Sequence, residues 1–307
     1  MSTQFDSSII TDTIEKNARD NHDRRRFLRN AGIAGIAAAL AATPLAEMTA
    51  AAQGGTVTDV NILNFALNLE YLEAEFYVRA AFGRGLADAD VTGTGTPGGV
   101  TGGRQVTFAT EAIRQYAIEI ANDEEAHVRF FRTALGANRI ARPQIDLMNS
   151  FTAAARAAGV IGGDQIFDPF ADENSFLLAA FIFEDVGVTA FKGAARFIQN
   201  GDFLEATAGV LAVEAYHAGL IRTVLFARGL STPARQISDL RDSVDGADDR
   251  DQGIILNGLA NIFPTDANSI AFSRTPRQVL NIVYLAENAA SGGFFPAGVN
   301  GTVPVVS

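Results

Sequence analysis

Cysteine is absent from this 307-residue chain. That excludes disulfides, thiolate-bound zinc and any iron–sulfur or rubredoxin-type centre held by this chain. A cysteine-free chain suits an oxidising compartment without requiring one. Basic charge is also scarce, with 24 Lys and Arg against 35 Asp and Glu, giving a net charge of -11. A nucleic-acid surface needs a basic patch, so no nucleic-acid partner is expected. The N-terminal apolar run, Ala31 to Thr43, is about 13 residues and falls short of the about 20 that span a bilayer. No repeat of solenoid length is present. Histidine is rare: His22, His127 and His217 are the full set, so their positions carry weight. Apolar material is plentiful, at 48% of residues, enough for a sizeable core.

The N-terminus reads as an address. Asp23-Arg24-Arg25-Arg26-Phe27-Leu28-Arg29 precedes the apolar run, and Ala50-Ala51-Ala52-Gln53 offers a small-residue cleavage pattern. Basic region, short apolar region and small-residue end make a secretory signal. The paired arginines followed by Phe-Leu resemble the twin-arginine signal, whose machinery exports folded proteins. The expectation is a signal and polar arm over residues 1–52, with the mature chain periplasmic or extracellular and without a stable membrane span. His22 would leave with the signal. Residues 1–52 hold six basic and six acidic side chains, so cleavage leaves the net charge unchanged.

Four long segments carry helical periodicity. The first runs from about Thr58 to Phe82, with Thr58 or Asp59 as cap and Gly83 and Gly85 after it. Gly93 to Gly103 is rich in Gly and Thr and reads as a flexible surface loop. The second helix runs from about Val106 to Leu135. Residues 137–172 form a long connection with a short helix near Leu147 to Ala158. The third helix runs from about Glu173 to Gln199, capped by Asp172. Asn200-Gly201-Asp202 makes a tight turn into the fourth, which reaches about Arg228. The short last turn makes the third and fourth helices antiparallel neighbours, and the long connection lets the chain cross the bundle. The expectation is an all-α four-helix bundle over residues 53–229, with residues 230–307 as a helical and loop extension packing on it. In that extension Thr275-Pro276-Arg277-Gln278 marks a helix start, and the helix is expected to reach Asn288.

Each apolar stripe is interrupted by a carboxylate. Glu70 interrupts the first, Glu124 with His127 the second, Glu184 the third, and Glu214 with His217 the fourth. These positions share the i, i+3, i+4, i+7 face of each helix, which places them inward. A lone buried carboxylate is costly, and four in one core would repel. Two divalent cations balance four carboxylates, and neutral imidazole adds ligands without charge. Two Glu-x-x-His pairs plus one Glu from each of two other helices is the ligand plan of dimetal bundles. Such donors suit iron or manganese, with zinc as a substitute. Glu73, Glu75, Asp123, Glu125 and Asp185 flank these positions and are read as solvated or supporting groups, with Glu73 the nearest rival of Glu70. Tyr77 and Tyr116 are read as core.

Leu63-Asn64 with Glu70 and Tyr77, then Glu124-x-x-His127, Glu184 and Glu214-x-x-His217, resemble the ligand order of the ferritin-like superfamily. The run Gly292-Gly293-Phe294-Phe295-Pro296-Ala297-Gly298-Val299-Asn300-Gly301 is similar to the ending of its desiccation-related branch. The resemblance spans most of residues 56–301. It implies a dimetal ferritin-like bundle and an association with desiccation or oxidative stress. It does not carry a reaction, because this fold hosts storage, peroxidase, catalase and oxygenase chemistry. Ala180 and Phe181 stand where some relatives place a carboxylate one turn before the third-helix ligand, which weakens a ferroxidase assignment. The 78-residue extension argues against a ferritin cage but is compatible with an oligomer. Two readings follow. One is an exported dimetal oxidoreductase, catalase- or peroxidase-like or ferroxidase-like. The other is a non-catalytic desiccation-related protein in which metal is structural or sequestered.

Overall fold

The computed structural model describes residues 57–304. The signal and cleavage expectations for residues 1–52 lie outside the described residues. Among the latter are seven α-helices and four two-residue strands, so the fold is all-α as expected. The helices are α1 Asp59–Phe82, α2 Glu111–Leu135, α3 Asn149–Ala157, α4 Glu173–Ala195, α5 Gly201–Ala227, α6 Ser231–Asp245 and α7 Pro276–Tyr284. The bundle pairs α1 with α2 and α4 with α5, and the long connection holding α3 joins the pairs. Helices α4 and α5 are long and apolar enough to cross a membrane; α4 is instead mostly buried in the protein, and α5 is less so.

The helix ends show which polar groups fix the frame. Thr58 caps α1 by accepting from Asn61 N at 3.2 Å. Asp59 reaches across the bundle instead, and its carboxylate accepts from Gln199 N and Asn200 N, both at 2.8 Å. Helix α4 therefore ends at Ala195, short of the expected Gln199, because the following residues turn to meet Asp59. Asp172 caps α4 and Asn200 caps α5. Helix α2 starts at Glu111 rather than Val106. Val106 N donates to Ala80 O, and Glu173 accepts from the Ala109 and Thr110 amides, which holds the approach chain non-helical.

An aromatic cluster forms one layer of the core. Phe76 lies 5.0–5.6 Å, centroid to centroid, from Tyr77, Phe151, Phe170, Phe176 and Phe183. Phe294 joins it from the C-terminal tail, 4.9 Å from both Phe151 and Phe183. Six residues later Asn300 donates its backbone N–H to Asn68 Oδ1 at 3.0 Å, and Asn68 Nδ2 donates to Asn300 O at 2.9 Å. The Asn300 side chain bonds Thr96 and Ala141. The tail thus ties α1 to the Gly/Thr-rich stretch. That stretch is not the loose loop its composition suggests: Val100 and Thr101 (β1) pair in parallel with Ile145 and Asp146 (β2), and Thr94 bridges Ile140. Glycine is needed there for close approach, since a Cβ on Gly98 would fall 2.1 Å from Gln144 N.

Helix α6 carries only a short apolar stripe, Ala234, Ile237, Leu240 and Val244, and polar residues share its buried face. Its buried side is Ala234, Ile237, Ser238, Arg241 and Asp245, mostly polar. It packs through ion pairs: Arg222, Arg241 and Arg274 are fully buried among Asp185, Asp245 and Asp251. Arg222 and Arg241 both reach Asp185 Oδ2, at 2.7 and 2.8 Å, and Arg274 holds Asp245 and Asp251. Three cations and three anions neutralise one another, as buried charges must. Helix α7 has the expected capping box and proline start. It stops at Tyr284 rather than Asn288, because Leu285 turns left-handed (φ 56°) and Asn281 Oδ1 accepts from Asn288 N. Strands β3 Ile255–Leu256 and β4 Leu259–Ala260 form a small hairpin between α6 and α7.

Candidate metal centre

The four bundle helices bring all six of the expected residues to one place. Glu70 from α1, Glu124 and His127 from α2, Glu184 from α4, and Glu214 and His217 from α5 are all buried. They fall into two overlapping groups. Glu70, Glu124, His127 and Glu214 each offer a donor atom within 4.8 Å of the others, and so do Glu124, Glu184 and His217. Glu124 belongs to both. Its Oε2 lies 3.4 Å from His127 Nδ1 and its Oε1 lies 3.1 Å from His217 Nδ1, one oxygen for each group. His127 Nδ1 is also 3.3 Å from Glu70 Oε2 and 3.6 Å from Glu214 Oε1, and His217 Nδ1 is 3.6 Å from Glu184 Oε2.

These atoms crowd together without hydrogen bonding. Both oxygens of Glu70, Glu124 and Glu214, Glu184 Oε2, and Nδ1 of both histidines are buried with no hydrogen-bond partner. Donor atoms that converge on a point and leave one another unsatisfied are what cation ligands look like before the cation is counted. The residues therefore fit metal binding through carboxylate oxygen and imidazole nitrogen.

Electrostatics gives the same reading. Burial, partly offset by His127, pushes the Glu70 carboxyl up to about 8. Burial, partly offset by His217, pushes Glu184 up to about 8 as well. Burial and the neighbouring Glu124 hold Glu73 and Glu214 well above the usual carboxylate range. Glu124 goes the other way: against its own burial, the two imidazoles hold it low. His217, against burial, is raised to about 10 by Glu184, Asp123 and Glu124, and His127 is raised well above its ordinary value by Glu70 and Glu124. Without cations, protons must do their work, retained on both carboxylates and imidazoles.

Five neighbours complete the surroundings of these residues: Glu73, Tyr77, Tyr116, Asp123 and Gly187. Glu73 is buried with an unpartnered Oε2, so five carboxylates, not four, face this core. Tyr77 is core, as read, but its hydroxyl also donates to Glu184 Oε1. Tyr116 is only half-buried. Asp123 Oδ2 lies 3.3 Å from His217 Nε2, on the side of the ring away from the cluster. A carboxylate there fixes the tautomer that leaves Nδ1 free to bind metal. Gly187, one turn after Glu184, has no Cβ; one placed there would lie 2.6 Å from Glu214 Oε2 and 3.4 Å from Glu73 Oε1. A glycine inside an apolar helical stripe is the sequence signal that could have found it. The remaining flanking acids are ion-paired: Glu75 with Arg79 and Arg142, Glu125 with Arg84 and Arg129, Asp185 with Arg222 and Arg241. All three are buried rather than solvated.

Residues 58–227 match the model of the ferritin-like domain. Two curated relatives are similar over most of their length. The chain is 31% identical over 270 residues to the desiccation-related protein PCC13-62 of Craterostigma plantagineum, covering 80% of this chain and 84% of the relative. It is 28% identical over 265 residues to the ferritin-like catalase Nec2 of Nesocodon mauritianus, with the same two coverages, 80% and 84%. No solved structure matches the chain significantly.

Proposed function

The chain belongs to the ferritin-like domain family, and from that premise we propose that it is an exported protein holding two iron or manganese ions for peroxide or oxygen chemistry in stress defence. The observation that carries this reading is Glu124, which gives one oxygen to each donor group while both oxygens stay unsatisfied by protein. Two such ions, when bound, supply redox change and Lewis acidity at neighbouring positions. The chain's own residues supply the rest. Glu70, His127 and Glu214 hold one position and Glu184 and His217 the other, with Glu124 between them. Asp123 orients His217, Tyr77 orients Glu184, and Gly187 leaves room for Glu214. Burial of the whole set keeps bulk water from competing for the donor atoms.

Disproportionation of peroxide needs no outside electron donor, which suits a secreted protein, and one relative is named a ferritin-like catalase. Iron- or manganese-loaded protein should consume hydrogen peroxide with release of oxygen, and Glu124→Ala should abolish it. Oxidation of ferrous iron is the competing activity, and the same samples measure it. If loaded protein does neither above buffer, the catalytic reading fails. The similarity to a relative named desiccation-related then favours a non-catalytic role, with metal structural or sequestered. Export rests on Arg24-Arg25 and the short apolar run after them. An N-terminus near Gln53 on protein recovered from the periplasm or medium supports it; an unprocessed chain in the cytoplasm counts against it.

A further inference from the structure

Glu73 is a buried acid beside the metal centre that the proposed chemistry leaves unused. It lies one turn after Glu70 on α1, is 4% exposed, and its Oε2 has no hydrogen-bond partner. It belongs to neither donor group. The other acids that flank the six residues each have a partner. Glu75 is held by Arg79 and Arg142, Glu125 by Arg84 and Arg129, Asp185 by Arg222 and Arg241, and Asp123 by His217. The charged groups that act on Glu73 most strongly are Glu124, Glu184, Glu70 and His127, all members of the centre.

A glycine makes its place. A Cβ on Gly187 of α4 would fall 3.4 Å from Glu73 Oε1 as well as 2.6 Å from Glu214 Oε2. The missing side chain thus seats two carboxylates against α4, one inside a donor group and one outside both. Like charges pressed into one niche repel. A buried carboxylate with no arginine or lysine beside it draws its compensation from the metal.

The charge count then has a remainder. Glu70, Glu73, Glu124, Glu184 and Glu214 carry five negative charges when ionised, and imidazole ligands are neutral. Two divalent ions supply four positive charges. Loss of one electron from the ion pair supplies the fifth. We infer that Glu73 holds no ion itself but sets the charge of the centre, favouring the oxidised state of the metal pair. This rests on the two-ion reading proposed above. For iron it concerns one couple, ferrous to ferric, with the electron leaving to an external acceptor. A fixed negative charge in a buried site lowers the potential of that couple. Glu73 acts through the ions that the other six residues hold, so it is a positioning residue rather than a catalytic one.

The test uses the full chain loaded with ferrous iron, beside Glu73→Gln and Glu73→Asp. Gln keeps the shape and removes the charge, whereas Asp keeps the charge and shortens the side chain. Iron content is measured first, and the ferric–ferrous midpoint potential then follows from a mediated redox titration read by electron paramagnetic resonance. All three chains should hold the same iron. Oxidation should be at least about tenfold less favourable in Glu73→Gln, a rise of about 59 mV or more for one electron. Glu73→Asp should stay close to the unmodified chain. A purely structural role would reverse that order, because Asp disturbs packing more than Gln. That reversed order, or equal potentials in the unmodified and Gln chains with iron bound in both, overturns the inference and leaves the two-ion reading standing. Loss of an ion in Glu73→Gln makes Glu73 a ligand and also overturns it. An unmodified chain that holds no iron overturns the two-ion reading and the inference with it.

Discussion

Gly187 lies so close to Glu214 that a single added Cβ would fall 2.6 Å from Glu214 Oε2. The two residues face each other from α4 and α5, one turn beyond Glu184 and three residues before His217. Gly187→Ala should therefore displace a metal-facing carboxylate while leaving the helix intact, since alanine is the better helix former. Metal affinity should fall by about 10–100-fold, the usual cost of disturbing a supporting contact. Chelator competition measures it, with circular dichroism as the check on folding. Unchanged affinity would mean that Glu214 is not needed where it stands.

Asp123 touches only one of the two histidines. Asp123→Asn should weaken binding at the position served by His217 by about 10–100-fold and spare the other. Calorimetric titration would then resolve a weakened step and an unaltered one. An equal loss at both positions would contradict this division.

Stability should depend on pH in metal-free protein and hardly at all in metal-loaded protein. In metal-free protein, burial raises Glu70 and Glu184 from 4.5 to about 8, and Glu184, Asp123 and Glu124 together raise His217 from 6.5 to about 10 against its burial. All three groups keep protons in the folded state that the unfolded chain has released. Their contribution is complete below about pH 4.5 and is lost as pH rises, through 8 for the carboxylates and through 10 for the histidine. Glu124, whose carboxyl is held low, acts only at more acidic pH. The Tm of metal-free protein should fall by at least about 2–4 °C per pH unit between 5 and 8. Metal displaces those protons, so the loaded protein should show a nearly flat profile and release protons on binding. Parallel profiles for the two forms would contradict it.

Arg274 should hold the C-terminal extension together, since Asp245 and Asp251 belong to it, and should tie it to α4 through Thr189 Oγ1. Arg274→Ala leaves Asp245 and Asp251 buried without that partner, and breaking such a pair costs about 3–5 kcal/mol. Urea unfolding measures the loss. A change under about 1 kcal/mol would show that these acids find other compensation.

Much of the bundle could be read from residues alone, because its helices obey one rule. Apolar stripes turn inward, and a carboxylate on such a stripe must meet something that neutralises it. Glu70, Glu124, His127, Glu184, Glu214 and His217 follow from that rule, and the structure brings them together. The rule says nothing where burial is polar. Helix α6 buries Ser238, Arg241 and Asp245 beside a stripe of only four apolar residues, so the stripe says little of how it packs. Asp185 and Glu75 looked like solvated neighbours because Arg222, Arg241 and Arg142, which cover them, lie 37–67 residues away in sequence. The Gly/Thr-rich stretch looked loose because its order comes from Asn300 in the tail and from the backbone of residues 139–147. Glu73 sits one turn from Glu70, and spacing alone could not rank the two.

The most direct test of the central claim is the metal content of the purified chain beside its Glu124→Ala, Glu70→Ala and Glu184→Ala variants. Because Glu124 offers one oxygen to each group, the account predicts about two ions per unmodified chain, none tightly held in Glu124→Ala, and about one in each of the other two. A chain that binds no metal under any loading condition, or a Glu124→Ala variant that keeps both ions, would contradict it.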